Sequence, residues 1–320
     1  MTNSTMISGA LVIGVDAGAT STRVAVHALD GTPVGYAKTG AGNPTAHGLD
    51  KALGAISGAL GEALGQADPS RVIASLAGVA GQVDVLTGEL AKVWAAYGIA
   101  EGPRVTGDVP IAFVAGSPAR EGSLLLSGTG AVAARIVDHT RCEIADGLGW
   151  LLGDAGSGFW IGRAAAQAVV RALDSGRPTG LLADLVLTHF LGEERGLSAR
   201  DDIDRLVRLA QADHMRLAAL SALVSEAAVA GDPMAEDIAR RAAEHLTATV
   251  RRVHTAGPVV LAGSVLTNDG PVRQAVQESL GDAEVLTAQD AAGAAAWLAA
   301  RDLLGVEASA VHGRFVAARL

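Results

Sequence analysis

The stretch GVDAGATST, residues 14–22, lies between two runs of β-type sequence at residues 11–16 and 21–29. A tight turn with small side chains presents backbone N–H groups, which together with hydroxyl groups can bind phosphate oxygens. Gly18 is expected to provide the permissive turn. The residues expected to provide hydroxyl groups are Thr20, Ser21 and Thr22.

Asp16 ends the first of these two strands. Its carboxylate could hold waters of a magnesium ion, since Mg²⁺ prefers oxygen ligands and keeps part of its hydration shell. The alternative interpretation is an ordinary β-hairpin in which Asp and Gly only make the turn. Short Gly/Asp/Thr patterns are common, so this stretch alone leaves both interpretations open.

A second stretch of the same kind, LLLSGTGA, covers residues 124–131. Its turn, Gly128, Thr129 and Gly130, is a second predicted phosphate site. Residues 128–133 nearly fit the dinucleotide fingerprint, but that fingerprint needs a helix directly afterwards. The following residues, AVAARIVD, are β-type instead. A Walker loop is excluded because the sequence contains no Gly-Lys-Ser/Thr.

A third segment, VVLAGSV at residues 259–265, is a buried type of strand that ends at Gly263 and Ser264. Such a strand end can let a flat base approach the backbone. The alternative is a plain turn between a strand and a helix.

The order of predicted elements occurs twice along the chain. The first set comprises strands at 11–16, 21–29 and 33–38, a helix at 50–64, a strand at 72–76, a helix at 86–97, a strand at 103–106 and a helix near Pro110. The second comprises strands at 123–127, 131–137 and 141–144, a helix at about 157–173, a helical insertion at about 179–253, a strand at 259–262, a helix from Pro271, a strand at 283–286 and a final helix from Ala291. This coarse repeat predicts two α/β domains, residues 1–117 and 118–320, with a nucleotide held between them.

Composition narrows the class of protein. Of 320 residues, 49% are hydrophobic and 18% charged, which suits packed cores rather than disorder. The net charge of −9 disfavours nucleic acid and anionic membranes as partners.

The N-terminal sequence MTNSTMISGALVIGVDAG lacks the features of a signal peptide, and no apolar run is long enough to span a bilayer. With Cys142 as its single cysteine, the chain is expected to be a reduced, soluble protein of the cytoplasm.

The three motifs together resemble a known superfamily. DAGATST, LLSGTGA and VLAGSV are similar, in order and spacing, to the two phosphate motifs and the adenosine motif of the actin/hexokinase/Hsp70 superfamily. Residues 147–162, GLGWLLGDAGSGFWIG, resemble the GWGxLLGDEGSG signature of N-acetylglucosamine kinases and the related BadF-type ATPase family. The resemblance implies two ribonuclease H-like (actin-like ATPase) domains with a cleft between them and a helical insertion in the second. It also implies the use of ATP with Mg²⁺.

The resemblance assigns a catalytic carboxylate as well. Asp108, in VTGDVP at residues 105–110, matches the family carboxylate that accepts the proton of the sugar 6-hydroxyl as this oxygen attacks the γ-phosphorus. The alternative is that Asp108 caps the helix near Pro110, a position that suits Asp. The two roles are compatible.

Other residues are assigned to the sugar by the same resemblance. Asn43 matches a family Asn that bonds sugar hydroxyls; alternatively it is a turn residue before Pro44. Asp154 matches a sugar-binding Asp, and its alternative role is to cap the helix that begins near Ser157. The remaining residues that the resemblance places near the sugar are Thr129, Gly147 and Leu148.

Two departures from the signature leave the acceptor open. Leu148 stands where the family has a Trp beside the sugar 2-substituent, and Ala155 stands where it has a Glu. N-acetylglucosamine is the preferred acceptor and glucosamine the next, while glucose and N-acetylmuramic acid remain possible. The family also implies a homodimer.

Two other functions compete with a sugar kinase. An actin-like ATP-binding regulatory protein would use the same phosphate motifs, but it would not need Asp108, Asn43 or the segment at 147–154. An ATPase that activates another enzyme through a shared iron–sulfur cluster is disfavoured, because Cys142 alone provides too few thiolates.

Overall fold

The computed structural model describes residues 9–81, 86–177 and 179–317. The first eight residues carry part of the argument against a signal peptide, and they lie outside this described part.

The first sheet contains five strands in the order β3-β2-β1-β4-β5. β1 pairs antiparallel with β2 and parallel with β4, and β4 pairs parallel with β5. β1 is buried along almost its whole length, as its near-continuous apolar run predicts. The strands are β1 (Leu11–Ala17), β2 (Thr22–Ala28), β3 (Pro33–Thr39), β4 (Val72–Val79) and β5 (Arg104–Gly107).

The second sheet has the same topology, with the order β8-β7-β6-β9-β10. β6 takes the place of β1, since it pairs antiparallel with β7 and parallel with β9. The strands are β6 (Gly122–Ser127), β7 (Ala131–Val137), β8 (Thr140–Asp146), β9 (Val259–Ala262) and β10 (Val285–Thr287). The predicted duplication is therefore confirmed, and so is the predicted α/β class with two sheets.

The long helices occur where the sequence predicts them, except that the predicted final helix from Ala291 is two helices, α13 and α14. Helices of four residues carry no periodic pattern, so the sequence did not predict α1, α5 or α11. The helices are α1 (Pro44–His47), α2 (Leu49–Leu64), α3 (Leu86–Ala96), α4 (Asp108–Val114), α5 (Gly149–Leu152), α6 (Gly158–Asp174), α7 (Leu181–Leu191), α8 (Ala199–Ala212), α9 (Arg216–Val229), α10 (Pro233–Arg251), α11 (Ser264–Thr267), α12 (Pro271–Leu280), α13 (Ala291–Leu304) and α14 (Ala308–Val316).

By its contacts the chain forms two compact units. The first comprises the described residues up to Arg120, then Asp138–Arg141, and those from Thr287 onward; the second comprises Glu121–Val137 and Cys142–Leu286. The predicted ranges 1–117 and 118–320 divide the sequence into its two repeats. The units group the chain differently at its end, because α13 and α14 pack with the first sheet.

Each unit has its own hydrophobic core. In the first, side chains of β1 pack with Ile56 and Leu60 of α2 and with Trp94 of α3. In the second, the predicted helical insertion consists of α7 to α10, and its apolar faces pack with α6 and β6.

α13 lies in direct backbone contact with β1. A Cβ atom on Gly14 would be 2.0 Å from Ala292 O and 2.1 Å from Ala296 N. α13 begins with Ala-Ala-Gly-Ala-Ala-Ala, and this run of small residues lets its backbone reach the strand. The glycine in β1 and the small residues in α13 are two halves of one packing arrangement.

Among the described residues, no single helix has the length and apolarity needed to cross a bilayer. α9 and α10 meet that criterion only when counted together, and they are bent by 117° at their junction.

The Gly14 contact predicts a large loss of stability in Gly14→Ala. The added methyl group must displace the backbone of α13, so we expect the free energy of unfolding to fall by about 3 kcal/mol or more. Urea unfolding followed by circular dichroism measures this difference.

Gly54→Ala is the matched control, because nothing lies within 4 Å of a Cβ atom at this position in α2. In a helix interior this change should stabilise the protein by up to about 1 kcal/mol. Equal stability of Gly14→Ala and the parent protein would contradict the close packing described here.

Candidate active site

The turn between β1 and β2 is closed by a hydrogen bond from Gly18 N to Ser21 O at 3.0 Å. Gly42 N donates to Gly18 O at 3.0 Å, so the loop after β3 contacts this turn. Ser21 and Thr22 are buried, and Thr22 Oγ1 has no hydrogen-bond partner within the described part of the chain. Thr20 is exposed. Of the three predicted hydroxyl residues, Thr20 is thus the one most accessible to a ligand.

Gly18 does not have the backbone conformation that would require glycine. Its φ lies outside the left-handed region, and a Cβ atom there would be 3.4 Å from Ser21 O, an ordinary contact. The expected reason for Gly18, a permissive turn, is therefore not what the structure shows. Its missing side chain instead leaves the turn open to a ligand.

Asp16 is held by Arg23, which lies opposite it in the β1–β2 pair. Arg23 Nη1 donates to Asp16 Oδ2 at 3.0 Å, and the Asp16 side chain is only 15% exposed. Burial raises the pKa of Asp16 to about 6, although Arg23 acts in the opposite direction. The carboxylates of Asp108 and Asp290 raise this pKa further. The three carboxylates repel one another, and a bound cation would reduce this repulsion.

Asp290 is the N-cap residue of α13. Its side chain accepts hydrogen bonds from Ala292 N and Gly293 N, both at 3.2 Å, and Tyr36 Oη donates to it at 3.2 Å. The close packing of α13 on β1 therefore brings a third carboxylate toward Asp16.

Asp108 follows the end of β5 and is the first residue of α4. The strand register places Ala17 beside Val79 and Val79 beside Gly107, so Asp16 and Asp108 are at the same edge of the sheet. With strands about 4.8 Å apart, their backbones are roughly 10 Å from each other. Burial raises the pKa of Asp108.

The alternative role of Asp108 as a helix cap is not what the structure shows. Gly107 occupies the N-cap position of α4, and no side chain caps it. The N–H groups of Asp108 and Val109, together with the charge of Arg141, partly offset the effect of burial on the Asp108 pKa.

Asn43 lies in the same unit, directly after Gly42. Its Oδ1 caps α1 by accepting from Thr45 N at 2.9 Å and Ala46 N at 3.1 Å. Within the described residues its amide nitrogen has no partner. A Cβ atom on Gly81, just after β4, would be 3.0 Å from Asn43 Oδ1. Asn43 therefore has the capping role of the alternative interpretation and still keeps donors for a ligand.

In the second unit, the turn between β6 and β7 contacts the start of α6. Gly158 N donates to Gly128 O at 2.7 Å, and Phe159 N to Thr129 O at 3.3 Å. Ser127 Oγ donates to Gly156 O at 3.0 Å. The second glycine-rich turn and the signature segment thus form one local structure.

Asp154 lies against this turn. A Cβ atom on Gly130 would be 2.8 Å from Asp154 Oδ2, so a side chain at this position would displace the Asp154 carboxylate. Asp154 has a left-handed φ of 56°, which is unusual for a residue other than glycine. Burial raises its pKa, and the Asp146 carboxylate adds to this effect. Ser157, rather than Asp154, caps α6.

Asp146 holds the segment that carries Asp154. Its two carboxylate oxygens accept from Asp154 N at 2.7 Å and from Ala155 N at 3.0 Å. Sequence reasoning missed Asp146, as it missed Arg23 and Tyr36, because none of them belongs to a recognised motif. The one available signal was the β1–β2 pairing, which places Arg23 opposite Asp16.

The segment between Gly147 and Gly153 exposes apolar side chains. Leu148 is 67% exposed, so this departure from the family signature lies on the surface of the unit and not in its core. Trp150 is 40% exposed and packs against Phe159 and His214, with ring centroids 5.0 and 4.6 Å away.

The third motif contacts the second. Gly263 has a left-handed φ of 81°, and a Cβ atom there would be 2.3 Å from Ser127 O and 2.7 Å from Gly128 N. Ser264 follows it and lines a cavity of about 320 Å³ together with Ser221, Ser225 and Asn268. This cavity is a suitable place for the nucleoside part of a nucleotide.

The predicted site residues therefore form two groups, one in each unit. The first unit brings together the Gly18 turn, Asp16, Asn43 and Asp108. The second unit brings together Gly128, Thr129 and Gly130 with Asp154, Gly263 and Ser264.

A magnesium ion fits the ligands of the first group. No set of three or more acidic, His or Cys side chains that could hold a metal occurs within the described residues. Mg²⁺ bound with a nucleotide needs only one or two carboxylates, since water and phosphate oxygens supply the other ligands. Asp16 would provide such a carboxylate, and the ion would neutralise phosphate charge.

The chain is similar to several known proteins. The model of the BadF/BadG/BcrA/BcrD ATPase family matches residues 13–300. A glucosamine kinase from Vibrio cholerae is 26% identical over 262 residues, which are 79% of this chain and 84% of that protein. An N-acetylmuramic acid/N-acetylglucosamine kinase from Clostridium acetobutylicum is 30% identical over 150 residues, 47% of each chain, so the match spans about half of that relative.

A solved structure matches a larger share of this chain than either of these two relatives does. It is a candidate N-acetylglucosamine kinase from Chromobacterium violaceum, 26% identical with a TM-score of 0.68, and the match covers 92% of this chain and all of that one (100%). The fold and the two glycine-rich turns define an α/β protein with duplicated actin-like ATPase domains. The chain belongs to the BadF/BadG/BcrA/BcrD ATPase family.

Gly128→Ala tests whether the second turn binds phosphate. The atom nearest to a Cβ at this position is Gly263 Cα at 3.9 Å, so the fold has room for a methyl group. We expect unchanged thermal stability and at least about tenfold weaker ATP binding, because the methyl would keep phosphate oxygens from the backbone. Calorimetric titration with ATP, with Gly54→Ala as control, measures this. Unchanged affinity would remove Gly128 from the nucleotide site.

Asp16→Asn tests the burial of the Asp16 carboxylate. Raising its pKa from 3.8 to about 6 costs the folded protein about 3 kcal/mol at neutral pH. Below pH 3.8 the Asp16 carboxyl is protonated in both the folded and the unfolded protein, so this cost is absent. The cost grows as the pH rises from 3.8 through about 6. Without Mg²⁺, Asp16→Asn should therefore be more stable than the parent protein at pH 7.5 and equal to it near pH 4. Urea unfolding in EDTA measures the stability of the two proteins at both pH values. Lower stability of Asp16→Asn than of the parent protein at pH 7.5 would contradict the raised pKa.

Proposed function

We propose that this protein is an ATP-dependent amino-sugar kinase that transfers the γ-phosphate of ATP to the 6-hydroxyl of N-acetylglucosamine. Glucosamine is the alternative acceptor. The family of the chain and the two relatives named as sugar kinases support this proposal. The observation that carries it is Asp108, a partly buried carboxyl with a raised pKa at the same sheet edge as Asp16.

The glycine-rich turns are proposed to bind the phosphates of ATP. Gly18 and Gly128 carry no side chain that would cover the backbone of their turns, and Thr20 adds an exposed hydroxyl group. The cavity beside Ser264 is proposed to hold the adenosine. Phosphoryl transfer depends mainly on positioning and on neutralising charge, so these backbone contacts supply most of what the reaction needs.

Asp108 is proposed to act as the general base. The sugar O6 forms a bond to the γ-phosphorus, the bond from this phosphorus to the β–γ bridging oxygen breaks, and ADP leaves. The proton of the 6-hydroxyl passes to the Asp108 carboxylate. Burial raises the pKa of this carboxyl, which makes it a stronger base than an exposed Asp.

Asn43 and the signature segment are each proposed to bind the acceptor. The free amide N–H groups of Asn43 and the Asp154 carboxylate are suitable partners for sugar hydroxyls. Leu148 offers an exposed apolar surface in the position where the resemblance places the sugar 2-substituent. An N-acetyl group has a methyl that can pack there, whereas the amine of glucosamine is polar, and this contrast favours N-acetylglucosamine.

We further propose that Mg²⁺ accompanies ATP, that the protein works in the cytoplasm, where both are available, and that it forms a homodimer as the family resemblance implies. Analytical ultracentrifugation would measure the last point directly.

The decisive experiment measures ADP release with a panel of sugars for the parent protein and for Asp108→Asn. We expect N-acetylglucosamine to give the highest kcat/KM and Asp108→Asn to lower kcat about 10²- to 10⁴-fold. Binding of ATP should be little changed in this variant, because Asp108 contacts the acceptor.

Asp50→Asn is the matched control, since Asp50 is an exposed acid in the first turn of α2. It should leave the sugar-dependent rate unchanged. If no sugar stimulates ADP release, the kinase proposal fails and an ATP-binding regulator becomes the better interpretation. If Asp108→Asn keeps its sugar-dependent rate, another group is the base.

A further inference from the structure

A second cavity of about 200 Å³ lies within the first unit, and its lining includes none of the candidate active-site residues. Its walls are β5, the end of α13 and the turn between β7 and β8. The residues that matter for its chemistry are Arg104, Thr106, His139, Thr140, Leu298 and Arg301.

Arg301 is a partly buried cation in this wall, with its side chain 29% exposed. Its Nε donates to Asp302 Oδ1 at 3.1 Å, and its Nη1 donates to His139 Nδ1. An arginine has five N–H groups. Two of them are used, so three have no acceptor among the described residues.

The tautomer of His139 is determined by its neighbours. Its Nε2 lies 3.1 Å from Pro118 O and must donate to it, which leaves Nδ1 to accept from Arg301. Burial lowers the pKa of His139, and the neighbouring arginines Arg301 and Arg120 lower it as well. His139 is therefore a neutral acceptor and does not compensate the charge of Arg301.

Arg104 provides a second cation. Its Nη2 donates to Leu298 O at 2.8 Å, and the closest carboxylate, Asp302, is 3.9 Å from its Nη1, too far for a hydrogen bond. Four of its five N–H groups therefore have no hydrogen-bond acceptor among the described residues.

The turn that completes the cavity has a strained backbone. Asp138 and His139 both have left-handed φ angles, 50° and 58°, where glycine or asparagine would be usual. The turn is held by the ion pair of Asp138 with Arg120 at 2.6 Å and by a hydrogen bond from His139 N to Arg120 O at 3.0 Å. Strained backbone of this kind persists where the surroundings impose it, often at binding sites.

The charges around the cavity leave a positive excess. Arg104, Arg120 and Arg301 face two acids, Asp138 and Asp302, in a protein whose net charge is −9. Guanidinium groups with free N–H donors match the oxygens of phosphate in pairs. The hydroxyl group of Thr106 adds a further donor.

We propose that this cavity binds a small phosphate oxyanion, either inorganic phosphate or the phosphate group of a phosphomonoester, through Arg104 and Arg301. The proposal is independent of the kinase function, because the cavity contains none of the proposed active-site residues. The apolar side chains of Leu298 and Pro110 would face the carbon skeleton of an ester.

Calorimetric titration of the full chain with inorganic phosphate, and separately with glucose 6-phosphate, tests this site. Chloride at equal ionic strength serves as the reference. We expect saturable binding of at least one probe, weakened about tenfold or more in Arg104→Gln and in Arg301→Gln, since each removes charge-assisted hydrogen bonds. The probe that binds more tightly identifies the source of the phosphate group.

Lys51→Gln is the control, because it removes one exposed positive charge from α2 in the same unit. It should bind phosphate as the parent protein does. Arg104 is more exposed than Arg301, at 57%, so its variant remains informative if Arg301→Gln fails to fold. Phosphate affinity within twofold of the parent in Arg104→Gln would overturn the proposal, since binding at the glycine-rich turns does not involve Arg104.

Discussion

The contact between the backbone of α13 and β1 is the constraint on which the first unit depends. It exists because Gly14 has no side chain and because α13 begins with alanines and a glycine. This one arrangement brings the end of the chain to the central strand of the first sheet. It also brings Asp290, the cap of α13, toward Asp16 and Tyr36. The packing of small residues thus determines the electrostatics of the candidate magnesium site.

Burial and charge act against each other at this sheet edge. Asp16 keeps one arginine partner, yet its burial and the two neighbouring acids raise its pKa to about 6. Strongly shifted pKa values of this kind are concentrated at functional sites, where a ligand can offset the free-energy cost of the buried charge. A metal ion with nucleotide phosphates would do so by bringing positive charge to the carboxylates. The same low-dielectric environment makes Asp108 a better base, so one physical effect serves both proposed roles.

The second unit uses backbone hydrogen bonds and close contacts in place of charge. The turn at Gly128–Gly130 contacts the start of α6, the Asp154 carboxylate and Gly263. Glycine is required at position 263 because a Cβ atom there would collide with backbone, and a Cβ atom at position 130 would displace the Asp154 carboxylate, whereas positions 18 and 128 would accept a Cβ atom at ordinary contact distances. This difference separates glycines needed by the fold from glycines that leave room for a ligand, a distinction that the sequence pattern alone does not make.

The sequence by itself determined the order of strands and long helices, the duplication and the positions of the glycine-rich turns, because each is expressed in local periodicity and turn residues. It also pointed to Asp108, Asn43 and Asp154 through a family resemblance. Only the tertiary structure decided that α13 and α14 pack with the first sheet, that Asp146 holds the Asp154 segment and that Arg104 and Arg301 line one cavity. The physical reason is that these contacts join residues far apart in the chain, and local patterns carry no information about which distant side chains meet.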